Sequence, residues 1–185
     1  MVDLTGHVAF GLLFAVPAWF FWRDRASVTF IALAAVAALL PDIDIWLSRF
    51  FPAEFHHHGV THTVLFAVLA SLVGGGLVAV LLTDRIDDWI ESERFDGRSL
   101  YVFVTLAFLT GSLSHIFADV LSAPDISTPL EPFWPFYDKP LSIDVVWYND
   151  WRINIGFLTV MVLVHVALAL LTTPRDHRYR LWPIG

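Results

Sequence analysis

The sequence predicts an all-α polytopic membrane protein, a bundle of about five transmembrane helices made by one integral membrane domain over residues 1–185. Two observations predict it. Hydrophobic residues form 57% of the 185-residue chain, against roughly 45–50% in an ordinary soluble domain. A domain this small has too much surface to wet for that excess to be hidden in a core. The apolar residues also gather in five runs of about twenty, the length that crosses the hydrocarbon layer as a helix. The same composition excludes a disordered or fibrous chain. A net charge of −7 excludes a nucleic-acid binder that relies on a basic footprint. The absence of cysteine excludes disulfides, thiolate zinc sites and cysteine nucleophiles.

The first predicted span covers residues 4–22. Its only early charge is Asp3, and no small-residue cleavage site follows, so it is expected to remain as a helix rather than leave as a signal peptide. The second covers 26–47 and contains Pro41, which cannot donate to the helix ladder and tends to kink or end it. The third covers 60–83, with Gly74, Gly75 and Gly76 in mid-span, read as a place of close helix packing. The fourth covers 100–123 and the fifth 153–173. Between the last two, residues 124–152 hold five prolines and seven aromatics. Trp134, Trp147 and Trp151 suit the headgroup level, as an aromatic belt or as a lid over a site.

Five spans put the termini on opposite sides. The C-terminal side carries Arg23, Arg25, Arg85, Arg94, Arg98, Arg175, Arg178 and Arg180, and the N-terminal side carries Arg49, Lys139 and Arg152. Basic residues mark cytoplasmic loops, so the expectation is a multi-pass cell-membrane protein with its C-terminus in the cytoplasm and its N-terminus outside.

Ionisable residues inside spans are costly and usually functional. Here they converge on the N-terminal side. His7 opens the first span. Asp42 and Asp44 end the second. His56, His57, His58 and His62 open the third, and His115 and Asp119 close the fourth. Random placement would scatter them over both ends. His115 and Asp119 are four apart and share a helix face. Asp42 and Asp44 would point about 200° apart on a straight helix, but beyond a kink at Pro41 both can face inward. His57 and His62 would be about 140° apart on a continuous helix; Gly59 is read as the residue that permits a turn between them. Thr61 or Thr63 is expected to cap the third helix or to hold a ligand in place. His165, about 18 Å along the fifth helix, is read as a packed, hydrogen-bonded residue, and His177 lies on the opposite side.

Imidazole and carboxylate without thiolate suit zinc, manganese or iron. The candidate metal ligands are His7, Asp42, Asp44, His57, His62, His115 and Asp119. Seven exceed the four of a structural zinc site, which points to two ions. Multinuclear sites activate water and clamp the oxygens of a phosphoryl group. Asp42 and Asp44 are also the candidate catalytic residues, orienting that water in place of binding metal.

Taken in order, Thr5-Gly6-His7, Leu40-Pro41-Asp42-Ile43-Asp44, His57-His58-Gly59-Val60-Thr61-His62-Thr63 and His115-Ile116-Phe117-Ala118-Asp119 resemble the YdjM-type predicted membrane-bound metal-dependent hydrolases, a family once linked with LexA binding. The resemblance covers about residues 3–135, and Thr128-Pro129-Leu130-Glu131-Pro132 adds to it. The family usually has arginine where His58 stands. A remoter likeness is to the zinc-dependent phospholipase C and nuclease P1 group, helical phosphoesterases with three zinc ions; their later His-x-x-x-Glu is absent here. These resemblances imply a membrane-bound hydrolase acting on a phosphoester of a lipid or lipid-linked substrate that enters from the bilayer under residues 124–152. Two other readings fit the same residues: a metal-held membrane scaffold without activity, and a metal-ion or proton transporter, for which intramembrane His and Asp also serve.

Overall fold

The structure is a computed structural model, and it describes residues 2–22, 24–53, 55–90, 96–126 and 128–173. Arg23, Arg94, Arg175, Arg178 and Arg180, used in the charge count, lie outside the described residues, as does His177. Helix α1 runs Leu4–Ala15 and α2 runs Ala18–Phe21. They are followed by α3, Asp24–Ala37, and α4, Ile43–Phe50. A 3-10 turn at Val60–His62 leads into α5, Val64–Ile90. Helix α6 spans Gly97–Ser122, and a π-helical turn at Arg152–Phe157 opens α7, Leu158–Thr172. Among the described residues the only β pairing is an isolated bridge between Leu130 and Leu141.

Among the described residues four stretches are long and apolar enough to cross a membrane: Leu4–Phe21, Val64–Ile90, Gly97–Ser122 and Arg152–Thr172. The predicted second span is corrected. It breaks at residues 38–42, leaving α3 at 14 residues, about 21 Å of helix against the roughly 30 Å of a hydrocarbon core. Pro41 is the physical reason. It brings no N–H to the Ala37 carbonyl, and Leu40 N–H bonds that carbonyl instead at 3.1 Å, tightening the chain into turns.

The short helix still runs antiparallel to α1. At its start Ser27 donates to the Ala18 carbonyl and Arg25 donates to the Trp89 carbonyl at the end of α5. At its finish the chain emerges beside the first turns of α1. Helix α6 lies centrally, packed on α1, α3 and α5. Its fit against α3 depends on Gly111, where a Cβ would collide with the Ala34 carbonyl, and against α5 on Gly75, where a Cβ would collide with Thr105. Aromatic rings of Trp22, Phe30 and Phe103 fill the end of the bundle away from the histidines.

Residues 123–151 wrap the other end. Val64 N–H bonds the Pro132 carbonyl, and the amides of Ile143 and Val145 bond the carbonyls of Val120 and Leu121. This segment is therefore tied to the start of α5 and the last turn of α6, with Leu130 fully buried between them.

Candidate metal centre

Four pieces of chain deliver side chains to one point. Helix α1 is capped by Asp3, whose carboxylate accepts from Gly6 N–H at 3.0 Å, and this fixes the first turn that carries His7. The turn after α3 carries Asp42, and α4 opens with Asp44. The 57–62 loop carries His57, His58 and His62. The last turns of α6 carry His115 and Asp119. His7, Asp44, His62, His115 and Asp119 are fully buried.

The donor atoms crowd together. His115 Nε2 lies 3.0 Å from Asp119 Oδ2, 3.1 Å from His62 Nε2 and 3.5 Å from Asp42 Oδ1. His62 Nε2 lies 3.4 Å from Asp119 Oδ2 and 3.6 Å from Asp42 Oδ1. His7 Nε2 approaches Asp119 Oδ1 at 3.4 Å, and His58 Nε2 approaches Asp119 Oδ2 at 3.7 Å. The His7 and His115 rings stack with centroids 3.6 Å apart.

The opposite ring nitrogens settle which atoms carry lone pairs. His115 Nδ1 contacts the Ala38 carbonyl at 2.7 Å, and His58 Nδ1 the Thr128 carbonyl at 2.6 Å. A carbonyl only accepts, so both Nδ1 atoms carry the proton. His62 Nδ1 and His57 Nδ1 meet the two oxygens of Asp44 at 3.1 and 3.0 Å, where an ionised carboxylate likewise only accepts. Where such an imidazole is neutral, Nε2 is left as a lone pair. Burial pushes the His58 imidazole down to about 4, which keeps it neutral at pH 7.

Lone pairs and carboxylate oxygens this close repel unless protons or a cation lie among them. Both nitrogens of His7, Nε2 of His58 and Oδ1 of Asp42 are buried without a hydrogen-bond partner among the described residues, which is costly in a low-dielectric interior. Four donors about 2.0–2.1 Å from a zinc ion stand about 3.3–3.4 Å apart, inside the range of separations above. Donors within ligand reach of one another fall into the groups His7, His115, Asp119; Asp42, His62, His115; His57, His58, His62; and Asp42, Asp44, His57. Residue types and spacing therefore fit a divalent metal.

The positions of the candidate residues differ in kind. His7, Asp42, His62, His115 and Asp119 meet at the centre. Asp44 spends its oxygens on His57, His62 and Thr61, the last donating at 2.8 Å. It is thereby held behind His57 and His62 while its carboxylate stays within donor reach of Asp42 and His57. His57 sits at the edge with its side chain 23% exposed. Thr63 caps α5, accepting from Phe66 N–H at 3.1 Å. Within the His56–Gly59 turn the left-handed residue is His58, at φ 65°, and Gly59 permits the turn as expected, since a Cβ there would meet the His56 carbonyl at 2.8 Å. Left-handed backbone at a bulky residue is unfavourable by about 1–2 kcal/mol, and here it turns the His58 ring inward. His56 is exposed and belongs to none of the donor groups. His165 accepts from Trp19 Nε1 at 2.8 Å and donates to the Leu12 carbonyl at 2.9 Å, away from the cluster.

Sequence reasoning did not single out the Thr128 and Ala38 carbonyls, because backbone groups leave no mark in composition. It also passed over Asn154, buried at the start of α7, which donates to the Tyr148 carbonyl and accepts from Asp3 N–H. A polar residue at the mouth of an apolar run was the available signal. Beside the cluster lies a cavity of about 580 Å³ whose lining includes His56, His58, Val60, Thr128, Glu131 and Trp134.

Fold and site together define a helical multi-pass membrane protein with a buried histidine–aspartate cluster at one end of its bundle. The chain matches the family model described as YdjM inner membrane protein over residues 1–183. It belongs to that family, and the match extends well beyond the motif-bearing residues 3–135. No curated protein and no solved structure matches it, so neither comparison adds weight to the likeness with zinc-dependent phospholipase C and nuclease P1.

Proposed function

We propose that this protein is a membrane-bound metal-dependent hydrolase of a phosphoester in a lipid or lipid-linked substrate. The observation that carries the reading is the convergence of Nε2 atoms and carboxylate oxygens at 3.0–3.7 Å, with three of the histidines anchored through Nδ1. Two divalent transition ions, zinc with manganese or iron as substitutes, would be held by His7, His58, His62, His115 and Asp119, with His57 at the edge and Asp42 kept free of the ions as a base. When bound they supply Lewis-acid stabilisation of phosphoryl oxygens and a water of lowered pKa.

The chain's own residues supply the rest. Asp42 is the member of the central group that is 18% exposed, and its Oδ1 has no hydrogen-bond partner among the described residues; it accepts the proton of the attacking water. Asp44 holds His57 and His62 in register. The cavity between the histidine loop and the 128–140 segment receives the substrate, and that segment serves as a lid. The excess of basic residues at the far end supports a site on the non-cytoplasmic side.

The test uses protein purified into lipid nanodiscs, loaded with zinc or manganese, and assayed against bis(p-nitrophenyl) phosphate and a panel of phospholipids. Cleavage is expected. Asp42→Asn is expected to lower the rate by about 10²–10⁴ while retaining metal. A fully loaded protein that cleaves no member of the panel overturns the reading. That outcome would favour a metal-held scaffold, which has one observation behind it: the cluster ties together four separate pieces of the chain. The transporter reading draws no support from His165, whose two ring nitrogens are both engaged.

A further inference from the structure

Helix α4 has two unlike faces. Asp44 is its only buried residue. Ile43, Trp46 and Phe50 fall within about 60° of one another around the axis, and they are 41%, 62% and 74% exposed. Asp44 lies about 120° round from that face. Arg49 lies over the Trp46 ring, 4.8 Å from its centroid. An eight-residue helix with an indole, a phenyl and a branched alkyl side chain open to its surroundings has no reason to form in water.

Its place in the fold says what covers that face. Helix α4 begins after the turn that ends α3, at the same end of the bundle as the exposed aromatic side chains of Trp134, Tyr137, Trp147 and Trp151. Indole and phenol rings favour the level of the lipid headgroups. An amphipathic helix bearing arginine lies in that plane with its apolar face down, and a guanidinium pairs with phosphate.

We infer that α4 is seated in the phospholipid headgroup layer of the bilayer the chain spans, and that this seating holds Asp44 against His57, His62 and Thr61. The bilayer surface is thereby coupled to the cluster through one turn of helix. Asp44 is a positioning residue in this arrangement, and the lipid-facing side chains of α4 act through it.

The chain has no cysteine, so a single introduced thiol can be labelled without background. Phe50→Cys, carrying a nitrobenzoxadiazole dye in nanodiscs, is compared with Val80→Cys on the lipid face of α5 and with Arg98→Cys at the start of α6. Lipids brominated near the ester linkage are expected to quench the Phe50→Cys label more than lipids brominated at mid-chain, with the order reversed for Val80→Cys. Absence of quenching at Phe50→Cys by either lipid overturns the proposal and would point to a protein partner or water over this face. In a second arm, Trp46→Glu combined with Phe50→Glu is expected to speed backbone hydrogen exchange of residues 57–63 on the order of tenfold, and Trp46→Phe to leave it at the parent rate. Unchanged exchange in the double variant overturns the coupling. Neither readout depends on cleavage, and the exchange is compared at equal metal content, so failure of the hydrolase reading leaves both standing.

Discussion

Asp44 is the residue on which the geometry of the cluster most depends, although it stands behind the donors. Its two oxygens receive His57, His62 and Thr61. Asp44→Asn keeps the size of the side chain but replaces one acceptor oxygen with an N–H₂ donor, which faces the Nδ1–H of one histidine. Metal affinity is expected to fall about 10–100-fold, with the metal count at saturation unchanged; a chelator-competition titration reads this, and an affinity equal to that of the parent would refute the positioning role. At this scale the sequence was informative about which residues gather and less so about what each does. Intramembrane cost singled out His7, His115 and Asp119 without any structure. The pair Asp42 and Asp44 looked equivalent in sequence. Their separate parts arise from the turn at Pro41, which sends one carboxylate to the centre and the other behind two histidines. His58 could not be ranked above His56 in a run of three histidines, because the distinction lies in a left-handed backbone angle.

Among the elements, the packing of α6 against α3 decides whether the turn with Asp42 can reach His115. Gly111 makes that approach possible: a Cβ there would strike the Ala34 carbonyl and the Ala38 amide, both backbone. Gly111→Val is expected to destabilise the protein by about 1–3 kcal/mol and to lower metal content with it. Gly76→Ala, with only the edge of Tyr101 nearby at 3.8 Å, is expected to leave both unchanged. Thermal unfolding in detergent, followed by metal analysis, checks the pair, and equal tolerance of both substitutions would refute the packing argument. Apolar run length was enough to locate Leu4–Phe21, Val64–Ile90, Gly97–Ser122 and Arg152–Thr172. It misread the second run because hydropathy counts side chains and is blind to the missing amide of Pro41. The same break frees the Ala38 carbonyl for His115, so the error in the sequence reading sits where the site is built.

At the scale of the whole molecule, the costly side chains are divided between two separate tasks. His165 ties α7 to α1 and α2 through the Leu12 carbonyl and the Trp19 indole. The cluster at the other end joins α1, α6, the 38–44 turn and the histidine loop. His165→Leu leaves the Trp19 N–H without its acceptor and is expected to lower stability by about 1–3 kcal/mol while metal content stays at the parent value; loss of metal would show that the two ends are linked. The central claim, that the cluster is a metal centre, is tested most directly by the metal content of purified protein. Mass spectrometry of the parent is compared with a His115→Ala/Asp119→Ala double variant. The account predicts about two equivalents of a divalent transition metal per chain in the parent and loss of that metal in the variant. No metal in either protein, even after incubation with zinc, manganese or iron, would contradict it and leave the cluster a hydrogen-bonded network.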